Sequence, residues 1–388
     1  DTTELNFQRH SNFLKENDPD LGPAGNNTDI GFFSHVSIVC DEHEGTLIGL
    51  ADVYNWNRSF DKLDKNQRGY QYQPIEEKES YRWIESPKRI KDKFKNARQI
   101  TFVSDRESDI YREFVEIPDN EKYHIVVRSK ENRKLYDQDI KLHDFIKQQP
   151  IIGNIEVAVR QTERKQANHR MAKLSIRISE VKIKKPIKTR HLNANMPEFV
   201  TLNCVMAREE EKAGGKILWI LLTSRPVNNL TDAIKIIDIY KQRWWIETLF
   251  ATLKRDGIDY ERCELETGRA LKNILVLALH TSARINQLRV GRKYIKPGSA
   301  RIVFTDHQIK VIEALIPQYE GRTEKQKNNY PKDTLARVAW LIARIGGWKG
   351  YDKESPPGNK TFALGLEEFL SGYDMFTKLQ KINPKMFA

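Results

Sequence analysis

The strand-rich block between Tyr123 and Thr223 constrains the fold of this chain more than any other feature. Five apolar runs follow one another there: YHIVVRS, IEVAVR, KLSIRISEVKI, FVTLNCVM and KILWILLTS. In IEVAVR and LSIRIS apolar and polar residues alternate, as in strands that bury one face and expose the other. The block therefore predicts a half-exposed antiparallel sheet. Its connections include two basic segments, RQTERKQANHR and KIKKPIKTR, which are either solvated loops or phosphate contacts.

Upstream of this block, the pattern predicts a mixture of strands and helices. FFSHVSIVC and TLIGLADVY flank the polar DEHEG and predict a β-hairpin over Phe32–Val53. Glu77–Phe94 has helical composition, QITFVSD predicts a short buried strand that stops at Asp105, and DIYREFVEI predicts another helix. This α/β pattern puts Asp105 at the carboxyl end of a strand, where open α/β sheets expose their functional groups.

Downstream of the block, the sequence is helical. TDAIKIIDIYKQRWWIETLFATLKRDG predicts one helix that begins after Asn229 and stops at Gly257. RALKNILVLALHTSARINQL predicts a second helix. A further helix is predicted by an apolar stripe near the end of the chain, formed by Leu335, Val338, Ala339, Ile342 and Ile345.

Length and charge limit the classes of protein to consider. A chain of 388 residues is too long for one ordinary core and fits two or three structural units. Its 65 Lys and Arg exceed its 53 Asp and Glu, which gives a net charge of +12 and a pI of about 9.3. This balance favours a polyanionic partner, nucleic acid ahead of a membrane surface. The longest apolar stretch, around Ile274–Leu279, is far short of the roughly 20 residues that cross a bilayer.

The cysteines and histidines bear on compartment and metal chemistry. Cys40, Cys204 and Cys263 form no paired framework, and the sequence shows no secretion signal, so a reducing cytoplasm is expected. The 9 histidines are scattered without zinc-ligand spacing. Any metal is therefore expected to be held by oxygen ligands, which favours Mg²⁺ or Mn²⁺.

The segment Tyr240–Lys254 has the most informative spacing in the chain. Four polar side chains stand there at offsets of 0, 3, 7 and 14 residues: Tyr240, Arg243, Glu247 and Lys254. At about 100° per residue they fall within an arc of roughly 60° on a helix. A carboxylate binds Mg²⁺ while Arg and Lys neutralise phosphate oxygens, so one stripe could present both halves of a phosphodiester site. The solvated face of an amphipathic helix is the alternative interpretation.

Two more carboxylates are candidates for the same site, because one carboxylate cannot hold two metal ions. Asp105 ends an apolar strand and is followed by Arg106, a second candidate phosphate ligand. An Asp at a strand end is also a common helix cap, and this alternative stays open. Asp1 is a single acidic residue at a terminus, where a frayed end is the simpler interpretation from composition alone.

Motifs along nearly the whole chain carry a family resemblance. In order they are DTTELNF, FVSDRESDIY, VVRSK, ILWILLTSRPV and IDIYKQRWWIETLFATLK, followed by ARIGGWKGYD and PPGNKTFALGLEEF in the tail. Together they resemble the bacterial DDE transposases of the insertion-sequence four family, in which the Tyr, Arg, Glu, Lys spacing is a signature.

The resemblance implies a fold and a division into domains. The expected fold is α/β, a ribonuclease-H-like catalytic core that is interrupted by a β-rich insertion and followed by an α-helical C-terminal region. Residues 1–120 would form the first part of the core and 121–227 the insertion. Residues 228–290 would complete the core and carry the signature helix, and 291–388 would form a helical dimerisation region.

The resemblance also implies the site residues. Asp1, Asp105 and Glu247 fall on the catalytic, metal-binding acids, which would hold Mg²⁺ or Mn²⁺ as two ions. The DNA-binding positions are Tyr240, Arg243 and Lys254, on phosphates of the DNA end, and Arg106, Arg128 and Lys130, beside the active site. Trp219 falls on an indole that stacks a flipped base, with packing in a strand as the alternative. Trp244 and Trp245 are expected to pack.

The activity that the resemblance implies is cut-and-paste DNA transposition by end cleavage, hairpin formation and strand transfer. Its partners would be double-stranded DNA, both transposon ends and target, and a second copy of the chain in a homodimer assembled on that DNA. No membrane partner is expected. The location implied is the bacterial cytoplasm, in association with the nucleoid.

Two other functions stay open. A transposase-derived DNA-binding or dimerising inhibitor without activity is the main alternative, because family members carry a helical end-recognition region before the first acid. A hydrolytic nuclease or junction resolvase would use the same acidic trio. Since the sequence begins at Asp1, we expect a truncated form whose full gene product has an N-terminal end-binding domain.

Overall fold

A computed structural model describes residues 1–25, 28–60, 69–119, 121–160, 169–187, 195–209, 217–292, 298–351 and 355–382. The first of two compact units comprises Asp1 and the described residues of Leu63–Arg243. The second comprises those of Thr2–Lys62 and Trp244–Ala388. The expectation of more than one unit is therefore confirmed. Within the described ranges, no helix has the length and apolar character needed to cross a membrane.

The strands of the described residues form two sheets. In chain order they are β1 (Thr2–Asn6), β2 (Gly22–Ala24), β3 (Asp29–Cys40), β4 (Leu47–Trp56), β5 (Ile100–Ser104), β6 (Tyr123–Arg128), β7 (Gly153–Arg160), β8 (His169–Lys184), β9 (Phe199–Glu209) and β10 (Leu218–Thr223). In the second unit, β3 pairs antiparallel with β1, β2 and β4. In the first unit the strand order is β5-β6-β10-β9-β8-β7, with β5 and β6 parallel and the other pairs antiparallel.

The α-helices of the same ranges are α1 (Arg82–Lys93), α2 (Tyr111–Glu116), α3 (Leu142–Gln148), α4 (Leu230–Gln242), α5 (Trp244–Ala251), α6 (Gly268–Gly291), α7 (Asp306–Tyr319), α8 (Leu335–Ile345) and α9 (Asn359–Ile382). Side-chain caps set several of their beginnings. Asn229 accepts a hydrogen bond from the Asp232 amide at 3.0 Å ahead of α4. Such caps pair amide groups that the first turn of a helix leaves without partners.

Most of the predicted strands are confirmed. The hairpin expected over Phe32–Val53 is the antiparallel pair of β3 and β4. In β7, Ile155 and Val157 are half-buried while Glu156 and Ala158 are exposed, as IEVAVR predicts. In β8, Leu174, Ser175 and Ile176 are all buried, so the alternation predicted from LSIRIS is wrong there. Of the two basic connecting segments, residues 161–168 and 188–190 lie outside the described residues.

The prediction of one continuous helix from Asn229 to Gly257 is wrong. α4 ends at Gln242, α5 begins at Trp244, and Thr252–Asp256 form a π-helical turn. A π turn contains one more residue per hydrogen-bonded ring than an α turn. The angular spacing of about 100° per residue that put Lys254 on the predicted stripe therefore does not hold through this segment.

Both faces are covered at β6, the parallel neighbour of the strand that precedes Asp105. Ile125 and Val127 of β6 join a buried cluster with α1, α2 and α3, and Val126 between them joins a cluster with α4. Adjacent residues of a strand point to opposite faces, so β6 is buried on both sides.

The helices of the second unit form their own core. Buried residues of α6, α7, α8 and α9 pack around Trp340 and Phe362. α8 and α9 can approach closely because Gly365 has no side chain. A Cβ at this position would collide with the Ile342 carbonyl. The fold is therefore mixed α/β with a helical C-terminal region, as predicted at that level.

Candidate active site

Asp105 directly follows β5, so its predicted position at the end of a strand is confirmed. Its Oδ1 accepts a hydrogen bond from the Glu107 amide at 2.8 Å and caps the 3-10 turn Arg106–Ser108. The cap that the sequence left as an alternative is therefore also observed. The two roles are compatible, because a carboxylate offers about four lone-pair sites on two oxygens and this cap uses one of the oxygens.

Asp1 lies beside a cation of its own unit. Arg243 Nη1 donates to Asp1 Oδ2 at 3.1 Å, with the two side chains 18% and 21% exposed. Burial lowers the pKa of the Asp1 amino group to about 5; Asp105 raises it, while Arg82 and Arg243 lower it further. Asp1 and Asp105 thus share one charged neighbourhood, and the frayed-end interpretation of Asp1 is wrong.

Sequence reasoning missed Arg82, which belongs to the same neighbourhood. Arg82 begins α1, and its side chain is only 10% exposed. Its Nη2 donates to Glu107 Oε2 at 2.7 Å and its Nη1 to the Glu79 carbonyl at 2.6 Å. Burial lowers the pKa of Arg82, while Glu107 and, more weakly, Asp105 raise it.

The arrangement links a buried guanidinium to Asp105 through Glu107, whose amide makes the cap and whose carboxylate accepts from Arg82. Two carboxylates, Asp1 and Asp105, therefore lie among two guanidinium groups, those of Arg82 and Arg243. The carboxylate partner of Arg82 lies 25 residues away in sequence. No local spacing could have identified it.

Glu247 belongs to the second unit, on α5, where it is partly exposed. Its neighbours Ile246 and Leu249 are buried in a cluster with Leu5 of β1. The buried side of α5 therefore belongs to the same hydrophobic cluster as β1, the strand that follows Asp1 in the chain.

Lys254, also in the second unit, lies in the π-helical turn. Its Nζ donates to the Glu4 carbonyl on β1 and forms an ion pair with Glu261 Oε1 at 3.3 Å. The same Glu261 oxygen accepts from the Asn6 amide at 3.0 Å. β1 is thereby tied to the π-helical turn through backbone atoms at Glu4 and Asn6.

Trp219 and Tyr240 contact each other in the first unit. The half-buried Trp219 ring of β10 meets Tyr240 edge-on, with the centroids 5.8 Å apart and an interplanar angle of 63°. Tyr240 itself is only 5% exposed.

The expected packing is observed for Trp245, whose Nε1 donates to the Gly45 carbonyl at 2.9 Å. For Trp244 it is wrong, since this residue is 64% exposed.

Residues 88–283, just over half of the chain, match the family model of the transposase DDE domain. The chain belongs to this family. The matched segment contains Asp105 with its cap, the strands β6 to β10, and Glu247 on α5. The protein is therefore a transposase, an enzyme of a class that acts on DNA.

The transposase carries three further predicted basic residues in the first unit. Arg106 and Lys130 have exposed side chains. Arg128 is half-buried, and its Nη2 donates to the Leu218 carbonyl at 2.9 Å, which ties the end of β6 to the start of β10.

DDE transposases generally use divalent metal ions. Within the described ranges, no three His, Cys, Asp or Glu side chains come together as a metal-binding group. Asp1 and Asp105 belong to the first unit, and Glu247 belongs to the second. All three are carboxylates, the donor chemistry that Mg²⁺ and Mn²⁺ take in proteins.

Proposed function

We propose that this transposase is the catalytic part of a cut-and-paste enzyme of the insertion-sequence four family, with a ribonuclease-H-like core. The observation that carries the proposal is the shared neighbourhood of Asp1 and Asp105, with Asp105 at the end of a parallel strand. Functional groups of α/β sheets concentrate at such strand ends. In the family that the chain resembles, the Tyr, Arg, Glu, Lys signature contains the third acid, and this position falls on Glu247.

In this proposal Asp1, Asp105 and Glu247 hold two Mg²⁺ or Mn²⁺ ions. Such ions activate an attacking oxygen and stabilise the leaving one when they are bound. The cap from the Glu107 amide holds one Asp105 oxygen and so orients the carboxylate. Arg82 and Arg243 balance the charge of the acids in the free protein.

The cations around the acids would bind DNA phosphates. Arg106 and Lys130 are exposed and can reach a duplex without rearrangement of the core. Arg128, Arg243 and Lys254 are partly buried and would fix the end of the DNA. Tyr240 is buried against Trp219, which favours support of that indole as its larger contribution.

The order of steps follows from the family resemblance. Water releases a 3′-hydroxyl at the transposon end, this hydroxyl attacks the opposite strand to give a hairpin, and water reopens the hairpin. The freed 3′-hydroxyl then attacks target DNA. Unstacking a base in the hairpin turn costs a few kcal/mol, which stacking on the Trp219 ring would offset.

The proposal extends to organisation. The predicted domain boundaries at residues 120, 227 and 290, a homodimer assembled on DNA through the helical region after residue 290, and action at the nucleoid are parts of it. Buried packing of α6 to α9 makes that region a stable platform for such a contact.

The test is a nicking assay with the full chain, Mg²⁺ or Mn²⁺, and duplex DNA that carries the inverted repeats flanking the gene. Glu247→Gln and Asp105→Asn should each abolish nicking while DNA binding and folding stay nearly intact. The reason is that each change removes a charged oxygen ligand with little change of shape.

The matched control for Asp105→Asn is Asp119→Asn. Asp119 Oδ1 also caps a turn, accepting from the amides of Glu121, Lys122 and Tyr123 at 3.1, 2.9 and 2.8 Å. If Asp105 were only a cap, both variants would lose some thermal stability and keep activity. That result, or wild-type nicking by Glu247→Gln, overturns the assignment. DNA binding by the wild type without nicking in either metal favours the inactive DNA-binding protein.

A further inference from the structure

We infer that Asp109 and Arg133 are positioning residues of the transposase, which hold the loop after β6 and so fix Lys130 beside the turn that follows Asp105. The inference rests on the proposed role of Lys130 as a phosphate contact. All four residues belong to the first unit.

The Asp109 carboxylate is buried, with its side chain 1% exposed, and both of its oxygens are used. Oδ2 accepts from the amides of Lys130 and Glu131 at 2.7 and 2.8 Å. Oδ1 accepts from Arg133 Nε at 2.7 Å, and Arg133 Nη2 donates to the Asp109 carbonyl. One aspartate therefore holds three positions of the loop, Lys130, Glu131 and Arg133, through two amides and one guanidinium.

The loop has a second anchor on its other side. The Ser129 amide donates to the Ile220 carbonyl at 2.8 Å, and its hydroxyl lies 2.9 Å from His143 Nε2. The His143 amide donates to Asn132 Oδ1 at 2.8 Å. The backbone of Lys130 is thus fixed from both directions while its side chain stays exposed.

The clamp joins two strand ends that carry proposed site residues. β5 and β6 are parallel neighbours, so their carboxyl ends lie at the same edge of the sheet. Asp105 and its capped turn follow β5, and Asp109 comes directly after that turn. The loop clamped by Asp109 follows β6. A displacement of this loop would therefore move Lys130 relative to Asp105.

Arg133 and Lys130 are both cations, but they differ in pairing and exposure. Arg133 is paired with Asp109 and only 11% exposed, which leaves it unsuited to bind DNA. In the described part of the chain, Lys130 makes no ion pair. A cation on a fixed backbone loses less conformational freedom when it binds a phosphate, so the clamp favours binding at Lys130.

The test is a double-mutant cycle between Asp109→Asn and Lys130→Ala. Binding of duplex DNA with the flanking inverted repeats is measured in EDTA over a salt series, so that cleavage is not needed. Asp109→Asn should weaken binding about three- to tenfold and reduce the salt slope by about one unit, as Lys130→Ala does. In the Lys130→Ala background it should add nothing, because it acts through that lysine.

Equal weakening by Asp109→Asn in both backgrounds overturns the inference, since it indicates a general structural role. An unchanged slope in Lys130→Ala overturns it too, whereas the acidic trio is tested separately by nicking with Glu247→Gln. If Asp109→Asn does not fold, the same cycle is run with Arg133→Lys, which keeps the charge but loses the two-pronged contact. That variant should give the same outcome.

The matched control is Glu313→Gln, which weakens a similar pair between helices of the second unit. Arg337 Nε donates to both Glu313 oxygens at 2.7 and 2.9 Å. This variant should lower thermal stability without any change in the salt slope. If Glu313→Gln alters the salt slope, the slope reflects the stability of the protein and not a lost phosphate contact. That result overturns the inference.

Discussion

Arg243 Nη1 lies 3.1 Å from Asp1 Oδ2, so a guanidinium rests on the carboxylate proposed as the first metal ligand. The same guanidinium lies over the Tyr240 ring, with its carbon 6.0 Å from the ring centroid. A cation in this position balances the charge of the Asp1 carboxylate. When divalent ions provide that charge, we expect Arg243 to turn to a DNA phosphate.

Replacing Arg243 by Ala should therefore weaken binding of end DNA and reduce the salt slope by about one unit, as for one lost phosphate contact. The measurement is fluorescence anisotropy with labelled duplex at a series of salt concentrations in Mg²⁺ with the Glu247→Gln background. Lys241→Ala is the control, because Lys241 is exposed and paired with Asp238 at 2.9 Å on the helix surface. If both variants show the wild-type slope, Arg243 serves only to balance Asp1.

Local patterns were sufficient to predict some of this site. An apolar run that stops at an aspartate predicted Asp105 at a strand end, because strand burial and the polar end both leave a signal within a few residues. The side-chain cap at Asn229 was likewise readable as the start of α4. The alternating residues of IEVAVR predicted the half-exposed strand β7, whereas β9 is buried on both faces.

The remainder depended on contacts between distant residues. The role of Arg82 follows from its contact with Glu107, and that of Asp109 from its contact with the loop after β6. Neither contact leaves a signal in the local sequence. Thr252, at which the π-helical turn begins, makes a buried polar contact with another helix, and helical periodicity does not encode such a contact. The prediction that Trp244 packs failed because the residue type alone does not determine which side of a helix end is covered.

Trp219→Ala should spare the first nick and slow hairpin formation. Stacking of a base on an aromatic ring contributes about 1–3 kcal/mol, so a slowing of roughly ten- to a hundredfold is expected. Single-turnover gels that separate nicked and hairpin products measure both steps, with Trp219→Phe as a control that keeps a ring. Equal loss of both steps would point to a folding defect instead.

Tyr240→Phe separates two roles of the residue beside Trp219. The edge-on contact at 5.8 Å needs only the ring, so the variant should form hairpins at the wild-type rate if Tyr240 supports the indole. Weaker end binding with a normal hairpin step would show that the hydroxyl contacts a phosphate. Both quantities come from the same gels and a binding titration.

Glu113 makes stability depend on pH. Burial raises the pKa of this carboxyl well above its ordinary value of 4.5, Asp109 raises it further, and a hydrogen bond from the Ser108 hydroxyl opposes the shift. The neutral form is thus favoured by the fold. Its stabilising contribution is complete below the unfolded pKa and is lost as pH rises through the folded pKa.

Glu113→Gln should therefore melt at a higher temperature than the wild type at pH 8, by about 2–4 °C for each kcal/mol gained, and show little difference at pH 4. Glu116→Gln on the same helix should behave oppositely: burial raises the pKa of Glu116, but hydrogen bonds from Lys88 and Arg112 outweigh it. Its contribution exists above the unfolded pKa and is lost on acidification. Melting curves at several pH values measure both, and a Glu113→Gln variant that is less stable at pH 8 contradicts the assignment.

Replacing Thr252 should displace Lys254 although the two side chains make no hydrogen bond to each other in the described structure. Its hydroxyl is fully buried; it accepts from Asn286 Nδ2 at 3.1 Å and Asn359 Nδ2 at 2.9 Å and donates to the Thr248 carbonyl at 3.0 Å. Thr252→Val removes the acceptor while keeping the shape, so two amide groups lose a partner. Each unsatisfied buried group costs about 1–3 kcal/mol.

We expect Thr252→Val to lower the free energy of unfolding by that amount and to weaken end binding as Lys254→Ala does, because the π-helical turn that carries Lys254 begins at Thr252. Thr252→Ser keeps the hydroxyl and should restore both properties in large part. Urea unfolding and the salt slope of DNA binding measure the two effects separately. Ser282→Ala on α6 is the control, since its buried hydroxyl donates to the Ala278 carbonyl of its own helix at 2.8 Å. If Thr252→Val loses stability but binds DNA with the wild-type slope, the π-helical turn keeps Lys254 in place without this contact.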